Sequence, residues 1–281
     1  MLETCFIHLP GVGPTFEATL RALGVACWDD ALSVTLPCSS KRAAAIHAGL
    51  RESRKRLSEG DARWFSEALP PKEQWRLYSH FKDSAAYVDI ETTGLSWDDA
   101  HITTIALYDG RTVRTYVYGR NLEDFADDIA PYKLLITWNG RRFDAPILRK
   151  ALDIPLDKGG IMGHLDLLPV FRALDLRGGL KLVEKRLGLS RNELDGVDGQ
   201  TAVWLWNEFE RTRNEAALTT LLAYNVADVL SLEYLAAYAF AKNTTGCKTT
   251  AILPTLKSHL NPFTPDEVLL RKILARHAPW C

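Results

Sequence analysis

Four acidic residues stand in settings where a carboxylate needs a reason. Asp89 and Glu91 lie two apart in the apolar run Ala86-Tyr87-Val88-Asp89-Ile90-Glu91. Residues two apart in a strand point to the same face, so both acids share one side while Val88 and Ile90 face the other. Alternation on a half-exposed strand can look the same, but this pair closes its strand just before Thr92-Thr93-Gly94-Leu95, where a turn brings backbone groups close to a ligand. Asp144 follows Asn139-Gly140-Arg141-Arg142-Phe143 and precedes Ala145-Pro146, so its plainest role is to cap a helix with proline in the first turn. Asp228 is the only charged side chain between Glu215 and Glu233 in a strongly apolar helical stretch. An unpaired buried carboxylate is costly, so a cation, a hydrogen-bond network or a raised pKa must compensate it. Tyr224, four residues earlier, shares its helical face.

Brought into one site, these acids repel one another, and two doubly charged cations are the natural remedy. Oxygen ligands favour magnesium or manganese over zinc. The five cysteines (Cys5, Cys27, Cys38, Cys247, Cys281) are scattered without a Cys-x-x-Cys pair, which indicates free thiols rather than a zinc site or a disulfide framework. Two ions about 4 Å apart can activate a water and stabilise the leaving oxygen of a phosphodiester. Phosphodiester hydrolysis fits the set.

The elements that must position these residues follow from periodicity. Strand-like runs cover Ala86 to Ile90, Ile102 to Tyr108 and Thr112 to Tyr118, with Asp109-Gly110 as a hairpin turn between the last two. A helix over Leu122 to Ile129 and a short strand over Leu134 to Trp138 come next. Helices then follow near Asp166 to Leu174, Leu180 to Leu187, Thr201 to Phe209 and Glu215 to Phe240, and a last one over Pro265 to Arg276. Three strands, a helix, a strand and then helices predict an α/β fold, a mixed sheet with helices packed on it. Before the sheet, helices are expected over Thr15 to Leu23 and Lys41 to Leu57. The second carries Lys41, Arg42, Arg51, Arg54, Lys55 and Arg56 against one acid, Glu52, and predicts a basic face. Breaks at Gly60-Asp61 and Leu69-Pro70-Pro71 divide the chain into a helical region 1–60, a connecting segment 61–82, a catalytic domain 83–242 and a C-terminal extension 243–281.

The 281 residues are 47% hydrophobic and 25% charged, an ordinary globular composition. No run approaches the roughly 20 apolar residues of a membrane span and no signal region opens the chain, so a cytoplasmic protein without membrane contact is expected. A net charge of −1 excludes a binder that is basic everywhere, though an acidic metal site can mask a local basic face.

The acids and their neighbours resemble the motifs of the DEDD superfamily of 3′-to-5′ exonucleases. The first motif reads Asp89-Ile90-Glu91-Thr92-Thr93-Gly94, the second Asn139-Gly140-Arg141-Arg142-Phe143-Asp144, the third Tyr224-Asn225-Val226-Ala227-Asp228. The tyrosine four before the last aspartate, with Ala223 where a histidine would stand, resembles the tyrosine (DEDDy) branch. His164-Leu165-Asp166-Leu167 and Gly178-Gly179-Leu180-Lys181 are similar to the YprB-type ribonuclease H-like proteins within it. The resemblance covers Ala85 to Phe240 and implies a ribonuclease H-like fold. It assigns Asp89, Glu91 and Asp228 to the metal that activates water, and Asp89 with Asp144 to the second metal. It also implies that Tyr224 orients the water, that Glu91 approaches the 3′-hydroxyl, and that Thr92, Leu95, Asn139 and Lys181 contact nucleic acid. Asp166 is either a fifth acid near the site or the cap of its own helix.

Pro10-Gly11-Val12-Gly13-Pro14 resembles the turn of a helix-hairpin-helix motif, in which Gly11 and Gly13 would offer backbone amides to a phosphate. With the basic helix it favours DNA over RNA as partner. The expected activity is a metal-dependent 3′-to-5′ exonuclease on single-stranded DNA ends. A structure-specific endonuclease using the same site, or a non-catalytic nucleic-acid-binding module, are the alternatives.

Overall fold

A computed structural model describes residues 1–94, 101–156, 159–194, 196–245, 253–254 and 261–277. Its centre is a five-stranded sheet: β1 Ala85–Thr92, β2 Ile102–Tyr108, β3 Val113–Val117, β4 Leu134–Thr137 and β5 Gly163–Asp166, in the spatial order β3-β2-β1-β4-β5. β1, β2 and β3 run antiparallel, with Asp89 opposite Ala106 and Glu91 opposite Thr104. β4 and β5 run parallel to β1. The register of β1 against β2 shifts between Glu91 and Thr92, so the paired strand ends as the acidic motif does.

The helices are α1 Pro14–Ala22, α2 Trp28–Ser33, α3 Ser40–Ser58, α4 Ala62–Ala68, α5 Tyr78–Phe81, α6 Phe125–Ile129, α7 Asp144–Leu152, α8 Leu167–Ala173, α9 Leu180–Arg186, α10 Gly199–Thr212, α11 Glu215–Thr244 and α12 Glu267–His277. Alternation along the strands sorts their apolar side chains into two layers. Ala86, Val88, Ile90, Ile105, Leu107 and Leu135 pack with Phe125, Ile129 and Leu148 from α6 and α7. On the other face Tyr87, Ala106, Leu134, Ile136 and Leu165 pack with Phe171 of α8 and Val226, Val229 and Leu232 of α11. Asp89 and Glu91 therefore project toward α11, as the alternation predicts. No helix among the described residues is long and apolar enough to cross a membrane.

The predicted elements are present with ends displaced by a few residues; α2, α4 and α5 were not anticipated, nor was β5. Its four residues, Gly-His-Leu-Asp, carry no strand pattern, and pairing with β4 makes them a strand. The segment anticipated as a connection contains α4, which covers the open edge of β5. The Ser66 hydroxyl accepts from the His164 amide (2.9 Å) and donates to the His164 carbonyl (3.0 Å), acting as a short substitute strand. Gly163 permits this, because a Cβ there would meet the Ala62 carbonyl oxygen at 2.7 Å. Phe6, Leu20, Trp28 and Leu50 of the N-terminal helical part and Phe65 of α4 belong to the same apolar cluster as Leu134 and Phe171, so the core of this part is continuous with that of the sheet.

Candidate active site

Sheet and helix bring three of the four expected acids together. One carboxylate oxygen from each of Asp89, Glu91 and Asp228 lies within 4.8 Å of the others. β1 supplies the first two from one face, and α11 supplies the third as it crosses β1 and β2. Asn225 fixes this crossing. It is fully buried, and its Nδ2 donates to the carboxylate (2.8 Å) and the backbone carbonyl (3.2 Å) of Asp89, while its Oδ1 accepts from Thr104 Oγ1 of β2 (3.1 Å).

Asp144, the fourth expected acid, is 3% exposed and sits beside this triad, and it does not take the helix-cap role that its local sequence also suggested. It is the first residue of α7, and its Oδ1 accepts from the Ile90 amide of β1 at 3.3 Å. The carboxylate is thus bonded to β1, and the N-cap position of α7 falls to Phe143, which makes no side-chain cap hydrogen bond. The turn before it is tight. Asn139 has φ 64, and a Cβ on Gly140 would lie 2.2 Å from Thr137 Oγ1, so only glycine fits.

The electrostatics are those of buried acids that repel one another, partly offset by Lys181 and Arg191. Burial first, then Asp228, Glu91 and Asp144, hold the Asp89 carboxyl well above its usual range, with the Asn225 hydrogen bond opposing. Burial and Asp228 do the same to Glu91, opposed by Lys181 and Arg191. Asp144 is pushed up to about 7, chiefly by burial. Asp228 is also raised by burial, but the Arg191 guanidinium works against the rise.

Tyr224 lies one turn before Asp228 and is buried. Burial and the charges of Asp228, Glu91 and Asp89 push its phenol far up, which favours the neutral, hydrogen-bonding form. Lys181 Nζ contacts its hydroxyl and the Val197 carbonyl. Desolvation lowers the Lys181 pKa, with Asp228 and Glu91 opposing.

Among the remaining expected contacts, Thr92 is buried and its Oγ1 donates to the Gly94 carbonyl (2.7 Å). Leu95 lies outside the described residues. The Asn139 amide donates to Asp166 (2.8 Å), which also accepts from the Leu168 amide (3.0 Å) and the Arg141 amide (3.3 Å). Asp166 is thus a cap and a brace for the second motif, and stands outside the acidic triad. Gly11 and Gly13 are exposed in the turn before α1, with Gly11 at φ 73 and Gly13 as the N-cap. A short 3-10 turn, Leu2–Thr4, stands where the first helix of a helix-hairpin-helix would be. On α3, Lys41, Arg51 and Lys55 are exposed, whereas Arg54 pairs with Asp29, Arg56 pairs with Glu52 and Asp61, and Arg42 donates to the Gly11 carbonyl.

Arg191, Glu184 and Asn225 were not anticipated as site residues. Arg191 forms an ion pair with Asp228 and two hydrogen bonds to Glu184 (2.7 and 2.8 Å), and all three side chains are at most 8% exposed. The need for a partner to Asp228 was legible in the sequence. Its identity was not, because Arg191 lies in an unpatterned polar loop.

All four acids offer oxygen donors, and no His or Cys joins the cluster among the described residues, a donor set that fits a hard divalent cation. No curated protein matches this chain. A family B DNA polymerase from the hyperthermophilic archaeon Pyrobaculum calidifontis is similar to it at 22% identity and a TM-score of 0.41, over 57% of this chain and 24% of that one. The family model for the RNase_H superfamily matches residues 86–240, the sheet with all four acids and Tyr224. That match spans more than half of the chain, and the protein belongs to the RNase H superfamily.

Proposed function

We propose that this protein is a metal-dependent nuclease that trims nucleic acid from the 3′ end, with single-stranded DNA as the preferred substrate. The convergence of Asp89, Glu91 and Asp228 within 4.8 Å carries the reading. Buried like charges at this spacing are unstable without positive charge, and the set belongs to a domain of the RNase H superfamily. Asp89, Glu91 and Asp228 would hold one magnesium or manganese ion, and Asp89 with Asp144 a second. Such ions supply an activated water and charge neutralisation on the leaving oxygen.

The chain's own residues do the rest. Tyr224, neutral and held by Lys181, directs a hydrogen bond at the water. Asn225 keeps the Asp89 carboxylate aimed across the sheet toward α11. The preference for a 3′ end rests on the tyrosine-branch motif order, and the preference for DNA on the Gly11–Gly13 turn with the exposed Lys41, Arg51 and Lys55. These cations would bind phosphate without reading sequence.

A strand labelled at its 5′ end, incubated with Mg2+ or Mn2+, tests the reading. Stepwise shortening from the 3′ end, lost in Asp89→Ala and Asp228→Ala, is expected. Cleavage of circular single strands would replace the exonuclease reading with an endonuclease one. Full activity in both alanine variants would overturn the site.

A further inference from the structure

The charge on Asp228 is already answered from within the chain. Arg191 holds Asp228 through Nη1 of its guanidinium and Glu184 through Nη2 and Nε, at 2.7 and 2.8 Å. Glu184 is 2% exposed and lies on α9 three residues after Lys181. α9 therefore reaches α11 twice, through Lys181 to Tyr224 and through Glu184 and Arg191 to Asp228. A cation in contact with a metal-ligating carboxylate opposes a divalent ion at that carboxylate by direct repulsion. Arg191 also has somewhere to go. It lines a cavity of about 790 Å³ together with Glu184, Glu193, Ala227, Ser231, Tyr234 and Phe263.

We propose that Arg191 is the resident counter-cation of Asp228, a positioning residue that competes with the metal and sets its affinity through the buried Glu184–Arg191 pair. Without a divalent ion, Arg191 neutralises Asp228 and keeps the acidic cluster folded. When the ion binds, the guanidinium yields Asp228 and stays tethered to Glu184 at the cavity wall. The inference rests on Asp228 being a metal ligand, and not on the polarity or the substrate of the nuclease.

Calorimetric titration of the full chain with MnCl2, without nucleic acid, at fixed pH and salt, tests it. Arg191→Met removes the competitor and should bind Mn2+ roughly tenfold tighter than wild type. Arg191→Lys keeps the charge and should stay within about threefold of wild type. Glu184→Gln leaves Arg191 with an undivided charge on Asp228 and should bind more weakly. Structural damage would weaken every variant, so the opposite signs at positions 191 and 184 distinguish competition from damage. Equal or weaker binding by a folded Arg191→Met overturns the inference while leaving the metal site standing. Should Arg191→Met not fold, unchanged or tighter binding by Glu184→Gln overturns it instead. If wild type shows no Mn2+ uptake that Asp89→Asn abolishes, the metal site and the competition fall together.

Discussion

Asn225 joins Asp89 by two hydrogen bonds from one amide group, to the carboxylate at 2.8 Å and to the backbone carbonyl at 3.2 Å. This clamp ties the central strand to the long helix at the level where the acids meet. Asn225→Ala would leave the Asp89 carbonyl without that donor and the carboxylate free to rotate. Loss of a buried partner costs about 1–3 kcal/mol. Denaturant unfolding should show that loss, and Mn2+ affinity should fall with it; an Asn225→Ala protein with wild-type metal affinity would show that the clamp does not orient Asp89.

Tyr224→Phe removes only the hydroxyl that Lys181 contacts. If that hydroxyl directs the water, turnover should fall by about 100-fold while Mn2+ affinity stays near wild type. Single-turnover kinetics beside metal titration separate the two effects. Equal losses in both would mean that Tyr224 supports the metal and not the water.

The acids make the metal-free fold depend on pH in a defined direction. Asp144 is raised from its ordinary 3.8 to about 7, so the folded protein binds its proton more tightly than the unfolded chain. The penalty from its charge is therefore present in full above pH 7 and relieved as pH falls toward 4. Buried His8 works the other way, since burial lowers it to about 4 and its neutral form is lost in acid. Comparison with Asp144→Asn cancels the histidine contribution. In EDTA, wild type should be less stable than Asp144→Asn near pH 8, and the gap should close toward pH 4. A gap independent of pH would contradict the assignment.

Gly140→Ala places a methyl within 2.2 Å of Thr137 Oγ1 and should displace the turn that delivers Asp144. The expected cost exceeds about 1 kcal/mol. If Asp144 holds the second ion as proposed, the variant should lose activity at low Mg2+ and recover part of it at high Mg2+. Thermal melts and a magnesium titration of activity would show both.

Much of the site was legible from local pattern. The two-residue spacing of Asp89 and Glu91 on an apolar strand determines that they share a face, because strand geometry has a period of two. The apolar helix around Asp228 determines that its carboxylate is buried, and the four-residue interval determines that Tyr224 lies beside it. β5 was not legible, since four residues without alternation become a strand only beside β4. Nor was the contact of Asp144 with β1 legible, since its position at a helix start pointed locally to a cap and its carboxylate accepts from the Ile90 amide instead.

The sequence by itself determined which residues carry charge, which face of each element they occupy and that Asp228 had to find a partner, because these follow from chain periodicity and the cost of burying an ion. Only the tertiary structure decided that the partner is Arg191, that Asn225 clamps Asp89, and that α4 closes the edge of the sheet. Those contacts join segments separated by tens of residues, and their geometry depends on how the layers pack rather than on any interval along the chain.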